Sequence, residues 1–343
     1  MLYFLCWLIS FFSIFLFRKV AFKIKFLDYP DQERKFHKDP IPLVGGLGIY
    51  LGFAFIFLFH IKFLREFLPL FLSSTIILIL GILDDFKKNY LSAQTRFVLE
   101  VAISLWLILM GVRIEFFPSG IWGNLAEIVL SILWLVGITN AYNYLDGVDG
   151  LAGGSAVINL VYFSLILYFT GQKSLAVLSL LLCGSILGFL PYNFSKKRKV
   201  FLGDSGSTFL GFILAGLSIV GTWAEDSFVK VVIPVLILGV PIFDMTFTTI
   251  MRIKEKKVYS IASWMNYTGR DHFHHYLLNL GLSRLGAVIF IYFLNFSLGI
   301  SAIMVSNDKA WEAVLTLTQV GIIFGIVGVL IVLGRRARKD LTE

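Results

Sequence analysis

The sequence predicts an all-α, polytopic membrane protein, a transmembrane helical bundle of about eleven spans. Its 343 residues are 57% hydrophobic and only 15% charged, with a mean hydropathy of +0.83. Soluble globular domains are nearer to half apolar and a quarter charged. The apolar residues form long uninterrupted runs, and several reach the roughly 18 residues that a transmembrane helix needs. The alternating segments of about ten residues that build membrane barrels do not occur in the sequence.

The apolar runs divide the chain into eleven predicted spans. They cover residues 1–17, 43–61, 67–83, 97–112, 124–141, 152–170, 174–191, 207–223, 228–250, 285–304 and 313–334. Pro234 and Pro241 predict a kink or break in the ninth span, near Asp244. No low-complexity linker or internal repeat separates the spans, so 1–343 is predicted to be a single domain.

The basic residues predict how the bundle is oriented. With the N-terminus outside, 24 of the 30 Lys and Arg residues lie in cytoplasmic connections and six lie outside. Lys and Arg concentrate in cytoplasmic loops, so this bias predicts an outside N-terminus and a cytoplasmic C-terminus. The same bias accounts for most of the net charge of +8. Because the basic residues are spread over many loops, no nucleic-acid partner is expected.

Acidic residues and histidines near the span ends all fall on the predicted cytoplasmic side. They are Asp84, Asp85, Asp146, Asp149, Asp204, Asp244, His272, His274 and His275. Ionisable residues at membrane depth are costly and are usually functional. Their position on one face predicts a site at the inner interface rather than a path across the bilayer.

Two adjacent carboxylates, Asp84 and Asp85, end the third span. Neighbouring anions repel, which raises the pKa of one of them unless a cation intervenes, and this suits a metal-assisted base. The alternative is a solvated helix end that Lys87 and Lys88 neutralise.

The segment 140–154 carries the most specific motif. Asn140, Asn143, Asp146 and Asp149 recur every third position, a spacing that gathers them on one side of a helix or tight turn. Glycines in the same segment allow a ligand to approach the backbone, and Asn and Asp oxygens suit a hard cation such as Mg²⁺. The alternative is a turn-rich loop whose glycines pack helices.

Three further segments carry candidate residues. The glycines and serines around Asp204 predict free backbone N–H groups at a helix start, and the alternative is that Asp204 or Ser205 is an N-cap. Residues 270–275 hold Arg270 and three histidines, which suit phosphate contact, a zinc site or a plain surface cluster. In loop 34–46, Lys38 and its neighbours either bind phosphates or only reflect the enrichment of basic residues in cytoplasmic loops.

Taken together, these segments resemble the bacterial polyprenyl-phosphate N-acetylhexosamine-1-phosphate transferases of glycosyltransferase 4 type. The resemblance covers loop 28–46, Asp84-Asp85, 140–154, Asn193 with 201–207, Asp244 and 270–283, in the family's order. The chain departs from the family at Arg96 and Glu100, where Lys and Gln are frequent. It has Gly269 where Asp is common.

The resemblance implies a role for each candidate residue. Asp84 is the implied base that deprotonates a lipid phosphate, with Asp85 assisting. Asp204 is the implied principal Mg²⁺ ligand and Asn143 a second. The implied substrate-binding residues are Asn140, Asp146, Asp149, Asn193, Phe201, Lys38, Asp244, Arg270, His272, His274 and His275.

The resemblance also implies the reaction and its partners. The acceptor is undecaprenyl phosphate in the cell membrane, the donor is a UDP-N-acetylhexosamine from the cytosol, and UMP is released. Mg²⁺ is the expected cofactor, with Mn²⁺ as the alternative, and the sequence leaves a homodimer open. The lipid phosphate would attack the sugar-linked phosphorus directly, with a two-step route through an aspartyl-phosphate as the alternative.

Three functions are compatible with these motifs: two belong to branches of this family and one to a different class of membrane protein. The N-acetylglucosamine branch is favoured over the phospho-MurNAc-pentapeptide translocase, because the translocase typically has three contiguous histidines and this chain has His272-Phe273-His274-His275. A secondary transporter is the alternative of another class, but its carboxylates would lie near the membrane midplane.

Overall fold

The computed structural model is helical along nearly all of its length, as predicted. It describes residues 2–30, 39–59, 61–87, 90–267, 269–306 and 309–340. The described helices are α1 Leu2–Ile24, α2 Gly45–Phe59, α3 Ile61–Phe86, α4 Ala93–Leu109, α5 Ile121–Leu145, α6 Leu151–Phe169, α7 Lys173–Asn193, α8 Gly203–Val220, α9 Ser227–Ile237, α10 Gly239–Lys254, α11 Ile261–Asn266, α12 Phe273–Asn279, α13 Arg284–Val305 and α14 Ala310–Asp340. Two short strands, β1 Leu27–Asp28 and β2 Ile41–Pro42, pair antiparallel with Leu27 opposite Pro42.

Every predicted span coincides with a helix or a bent pair of helices, but the count of eleven is not confirmed. Among the described residues, eight helices are long and apolar enough to cross a membrane, and the bent pair α9–α10 makes nine if it is one span. Helices α2 and α4 have 15 and 17 residues and fall short of that length. The predicted break in the ninth span is present as a 76° bend between α9 and α10.

The chain divides into two compact units, Met1–Gly221 and Thr222–Glu343. In the first unit α8 is the central helix and packs against α2, α3, α5 and α6. Nearly all of α8 is buried, from Gly203 to Ser218. The second unit contains α9 to α14, with α13 packed against α9 and α10. That residues 1–343 form a single domain therefore stays a prediction.

Glycines allow two helices to approach the start of α8. A Cβ on Gly81 of α3 would lie 2.4 Å from Cα of Ser205, and one on Gly46 of α2 would lie 2.4 Å from Cα of Gly206. Both obstacles are backbone, so a larger side chain could not be accommodated by a rotamer change. Small residues serve membrane helices in this way, since they let the backbones come close.

Backbone hydrogen bonds fix the loop before α2 against the segment before α8. The N–H of Phe201 donates to the carbonyl of Pro42 at 2.9 Å, and the N–H groups of Gly45 and Gly46 donate to the carbonyls of Phe201 and Leu202 at 3.0 Å. The first residues of α2 and α8 are thereby held side by side. The β1–β2 pair extends the same arrangement to the end of α1.

Replacing Gly81 by alanine should lower the stability of the first unit. The added Cβ overlaps the α8 backbone, and overpacking of this kind costs about 1–3 kcal/mol. Thermal unfolding in detergent would measure the effect. Gly137→Ala in α5 is the matched control, because a Cβ there meets no atom within 4 Å. Equal unfolding temperatures for the two variants would contradict the close approach of α3 and α8.

Candidate active site

Asp85 is held against the first turn of α8. Its Oδ1 accepts the backbone N–H of Asp204 at 2.9 Å, and its Oδ2 accepts that of Ser205 at 3.0 Å. Helix N-termini carry unpaired N–H groups and a partial positive charge, so a carboxylate is favourable there. Gly203 precedes these groups at φ +78°, and a Cβ on it would lie 2.6 Å from the Asp85 carboxylate. The cap of α8 therefore comes from α3, and the alternative in which Asp204 or Ser205 is the N-cap is wrong.

Arg96 joins Asp84 to Asp204. Its Nη1 donates to Oδ2 of Asp84 at 2.8 Å and to Oδ2 of Asp204 at 2.9 Å. One guanidinium thus bridges carboxylates that lie 120 residues apart in the chain. The bridge offsets the repulsion that two neighbouring anions would otherwise have.

Asn143 reaches Asp204 from the end of α5. Its Nδ2 donates to Oδ1 of Asp204 and to Oγ of Ser207, both at 3.0 Å. The predicted pairing of Asn143 with Asp204 in one site is thus present as a direct contact. The carboxylate of Asp204 contacts α4 through one oxygen and α5 through the other, while its own backbone belongs to α8.

Asn140, one turn earlier in α5, contacts Glu100 instead of this group. Its Nδ2 donates to Oε2 of Glu100 at 2.6 Å and to the carbonyl of Val136 at 2.9 Å. Glu100 is buried, and no other carboxylate contacts this amide in the described structure. Asn140 was predicted to contact the nucleotide sugar, and here its amide nitrogen is fully used within the protein.

Asp146 lies in the turn between α5 and α6. Burial raises the pKa of its carboxyl well above the ordinary value, and the negative charges of Asp204, Asp85 and Asp149 raise it further. These causes show that Asp146 belongs to the same electrostatic neighbourhood as Asp204. A bound cation would reverse the effect, because it would favour the ionised carboxylate.

Asp149 and Asn193 connect that turn to the segment before α8. Asp149 pairs with Lys199 through a hydrogen-bonded ion pair. Asn193 is buried, accepts the N–H of Gly150 at 2.6 Å and donates to the carbonyl of Val200 at 3.0 Å. Gly150 has φ +80°, and the Phe194 ring fills the place of a Cβ. Asn193 therefore positions the loop, a role different from the predicted contact with the nucleotide sugar.

Phe201 lies beside the same ion pair. The Nζ of Lys199 is 5.9 Å from the centre of the Phe201 ring, within the range of a cation–π contact. The backbone of Phe201 is fixed by its bonds to the loop before α2. Phe201 itself is partly exposed.

The oxygen atoms around Asp204 fit a magnesium ion. Mg²⁺ is usually bound by one or two carboxylates and by substrate phosphates, and rarely by an all-protein cage. Oδ1 of Asp84 is buried without a hydrogen-bond partner among the described residues, and the Asp204 side chain is 41% exposed. The described residues contain no group of three or more His, Cys, Asp and Glu side chains that could hold a metal. If Mg²⁺ bound here, Asp204, Asp84 and Asn143 would supply part of its ligand set and a phosphate would complete it.

In the second unit, Asp244 organises the start of α12. Its Oδ1 accepts the N–H of Phe273 at 2.6 Å and the hydroxyl of Thr248 at 3.1 Å. Its Oδ2 lies 3.5 Å from Nδ1 of His272. Asp244 is fully buried. It would therefore influence a substrate through His272 rather than by touching the substrate itself.

A buried ion pair completes this network. Arg252 donates from Nε and Nη2 to the two oxygens of Asp271, at 3.0 and 2.7 Å, and its Nη2 lies 3.2 Å from Nε2 of His272. The guanidinium also stacks on Tyr267, 4.8 Å from the ring centre. Burial tends to raise the pKa of Asp271, but the hydrogen bonds and charge of Arg252 outweigh it and lower that pKa.

The remaining histidines differ in exposure. His274 is buried, and neither ring nitrogen has a hydrogen-bond partner among the described residues. Burial and the nearby His275 lower the pKa of His274 to about 3, so its ring is neutral at pH 7. Burial, His272 and Arg270 also lower the pKa of His275, which is partly exposed, whereas Arg270 is exposed. Lys38 lies outside the described residues.

Several residues of these two groups were not assigned roles from the sequence. Arg96 and Glu100 were noticed only as departures from the family pattern, and Arg252 only as a residue that Asp244 could orient. Arg96 and Arg252 carry a usable signal, a cation in the first or last turn of an apolar helix. Sequence alone did not show which carboxylate each of them meets.

Asp84 and Asp85 should respond differently to replacement by alanine. Asp85→Ala removes two hydrogen bonds to a helix terminus and should reduce the free energy of unfolding by about 1.5–3 kcal/mol. Asp84→Ala leaves Arg96 paired with Asp204 and removes a carboxylate that repels Asp204, so it should cost less than Asp85→Ala. Thermal unfolding in detergent measures both. A larger loss for Asp84→Ala would contradict the assignment of Asp85 as the cap of α8.

Comparison with known proteins identifies the family. The sequence profile described as "Glycosyl transferase family 4" matches residues 67–222. A Bacillus subtilis (strain 168) protein named "Probable undecaprenyl-phosphate N-acetylglucosaminyl 1-phosphate transferase" is 37% identical over 300 residues, which are 86% of this chain and 81% of the relative. The Escherichia coli (strain K12) protein named "Undecaprenyl-phosphate alpha-N-acetylglucosaminyl 1-phosphate transferase" is 30% identical over 290 residues, 81% of this chain and 77% of the relative. The profile spans the helices that carry Asp84, Asn143 and Asp204, and the chain belongs to glycosyl transferase family 4.

Proposed function

We propose that the protein transfers N-acetylglucosamine-1-phosphate from UDP-GlcNAc to undecaprenyl phosphate and releases UMP. The observation that carries the proposal is the convergence of Asp84, Arg96, Asn143 and Asp204 at one end of four helices. Two phosphate-bearing substrates must meet, and carboxylates with a bridging cation suit such a meeting. The names of the relatives supply the sugar and the lipid.

The residues of the first unit have distinct roles in this proposal. Bound Mg²⁺, held by Asp204 with Asn143 and Asp84, would supply positive charge for the phosphate oxygens. Asp84 offers Oδ1 to take the proton of the acceptor phosphate. An oxygen of that phosphate then forms a bond to the sugar-linked phosphorus while the bond to UMP breaks. Arg96 would orient the anionic groups, and Asp85 would fix α8 in position.

The reaction is proposed to occur at the cytoplasmic face of the cell membrane. The bias of Lys and Arg supports a cytoplasmic position for the end of α3 and the start of α4. UDP-sugars are cytosolic, whereas the acceptor stays in the bilayer with its phosphate at the interface. The residues Arg270, His272, His274 and His275 stay predicted contacts of the diphosphate or sugar, and the homodimer stays a prediction.

The donor test separates the two branches of the family. Purified protein in detergent, given Mg²⁺ and undecaprenyl phosphate, should release UMP with UDP-GlcNAc and not with UDP-MurNAc-pentapeptide. Release with the pentapeptide donor alone would establish the translocase alternative. Solute uptake into proteoliposomes without UMP release would establish the transporter.

The proposed metal site predicts that UMP release depends on Asp204 and on Mg²⁺. Asp204→Asn should lower kcat by about 10²–10³, since removing one group that stabilises transition-state charge typically costs that much. Chelation with EDTA should abolish UMP release, and added Mg²⁺ should restore it. Asp226→Asn is the matched control, because Asp226 only caps α9 and asparagine caps equally well. UMP release that persists in EDTA would contradict metal dependence.

A further inference from the structure

Basic side chains gather where α1 meets the turn after α7. Arg18 lies about two turns before the end of α1, and Arg198 lies in the turn that joins α7 to the segment before α8. Nη2 of Arg18 donates to the backbone carbonyl of Lys197 at 3.4 Å. Among the described residues, no ion pair joins the side chain of Arg18 or of Arg198 to a carboxylate, so both charges can act on a bound anion.

The close packing of α1 on α7 sets this position. A Cβ on Gly184 would lie 2.3 Å from the carbonyl oxygen of Tyr3, and one on Gly188 would lie 2.6 Å from that of Trp7. Each step of four residues along α7 matches a step of four along α1, so the two helices run parallel and end on the same side of the bundle. The charge bias predicts that this side faces the cytoplasm.

A buried tyrosine hydroxyl lies close to the two cations. Tyr192, in the last turn of α7, is 3% exposed, and its ring centre lies 4.9 Å from that of Phe11. Its hydroxyl has no hydrogen-bond partner among the described residues, and neither has the buried Nε of Arg18. The charges of Arg198 and Arg18 both act on this hydroxyl. Buried polar groups normally have a partner, so two unpaired donors in one positive environment indicate a place for an anionic acceptor.

The enrichment of basic residues in cytoplasmic loops explains only part of this arrangement. It accounts for Lys and Arg at the cytoplasmic ends of membrane helices. It does not account for the buried hydroxyl of Tyr192, because a phenylalanine would fill the same space without an unpaired polar atom. Together with the two guanidinium groups, the hydroxyl forms a positively charged set of donors, which fits a phosphate and would repel a cation.

The surroundings of Arg18 favour a membrane lipid over a dissolved anion. Phe15 and Phe22 are 38% and 44% exposed on α1, a helix long and apolar enough to cross a membrane. Cζ of Arg18 lies 5.3 Å from the centre of the Phe22 ring, and Nζ of Lys19 lies 4.3 Å from that of Phe15. Cations and aromatic rings at the end of a spanning helix are typical of the headgroup region of a bilayer.

We propose that Arg18, Arg198 and Tyr192 bind the phosphate of an anionic phospholipid from the leaflet at this end of the bundle. The phosphate oxygens accept hydrogen bonds from Arg18 and from the Tyr192 hydroxyl, while the exposed Arg198 adds positive charge. The bond from Arg18 to the carbonyl of Lys197 is near the distance limit of a hydrogen bond, so a phosphate can replace that carbonyl at little cost. The acyl chains then continue along the exposed face of α1.

A lipid bound in this way would also hold the segment that leads into α8. The N–H groups of Ser195 and Val200 donate to the carbonyl of Tyr192 at 3.2 and 3.4 Å. The N–H of Arg198 donates to Oγ of Ser195 at 2.9 Å. The turn that carries Arg198 is therefore fixed to Tyr192, and a phosphate shared by Arg198 and Arg18 joins this turn to α1.

Binding of phosphatidylglycerol to the purified protein in a neutral detergent, counted by native mass spectrometry, tests the site. Arg18→Gln should weaken the apparent Kd about tenfold, and Tyr192→Phe, which removes only the hydroxyl, about fivefold. Lys173→Gln at the other end of α7 and Tyr168→Phe at an exposed position are the matched controls. Each control should change the Kd by less than about twofold.

Two competing ligands identify the source of the phosphate. Phosphatidylcholine, which has a phosphate but no net charge, should bind about tenfold more weakly than phosphatidylglycerol, and inorganic phosphate should not displace the lipid. Displacement by inorganic phosphate would overturn the assignment to a lipid. Arg198→Gln changes an exposed side chain and replaces Tyr192→Phe if that variant folds poorly. Equal Kd values for the wild type and the folded site variants would overturn the site, whether or not the protein releases UMP.

Discussion

The contact between Asp85 and the first turn of α8 is the interaction on which the candidate site depends. A carboxylate from one apolar helix satisfies two N–H groups of another, where the helix dipole favours negative charge. That contact requires the helices to be very close, and Gly81 and Gly203 provide the space. Asp204 follows in the same turn, so the interaction that caps α8 also sets the position of the principal predicted metal ligand.

The same closeness creates an electrostatic difficulty. Asp84, Asp85 and Asp204 gather at the end of one bundle, and their mutual repulsion opposes folding unless cations offset it. Arg96 supplies one positive charge through bonds to two of the carboxylates. Asp204 is partly exposed, and Oδ1 of Asp84 has no hydrogen-bond partner among the described residues, an arrangement that would suit a metal and a phosphate. A site arranged in this way is stabilised by binding the groups on which it acts.

Each of α3 and α4 has an apolar stretch and a charged end that contributes to the candidate site. Both helices are apolar towards the membrane interior and charged where they approach the connection between them. A lipid phosphate has the same division, with a charged end and a long hydrocarbon chain. In the second unit, Arg252, Asp271 and Asp244 form a separate buried network that fixes His272. In the second unit a buried ion pair thus holds a buried histidine in place.

The sequence by itself determined the helical membrane class and the bend near Pro234 and Pro241, because apolar runs and prolines act locally. The joint role of Asn143 and Asp204 was implied only by the resemblance to the family. The count of eleven spans stays a prediction, because α2 and α4, with 15 and 17 residues, fall short of the roughly 18 residues that a span needs. The tertiary structure alone decided that Asp85 caps α8 and that Asn193 clamps a loop. Such roles depend on partners more than 40 residues away, and a sequence does not show which side chain closes that distance.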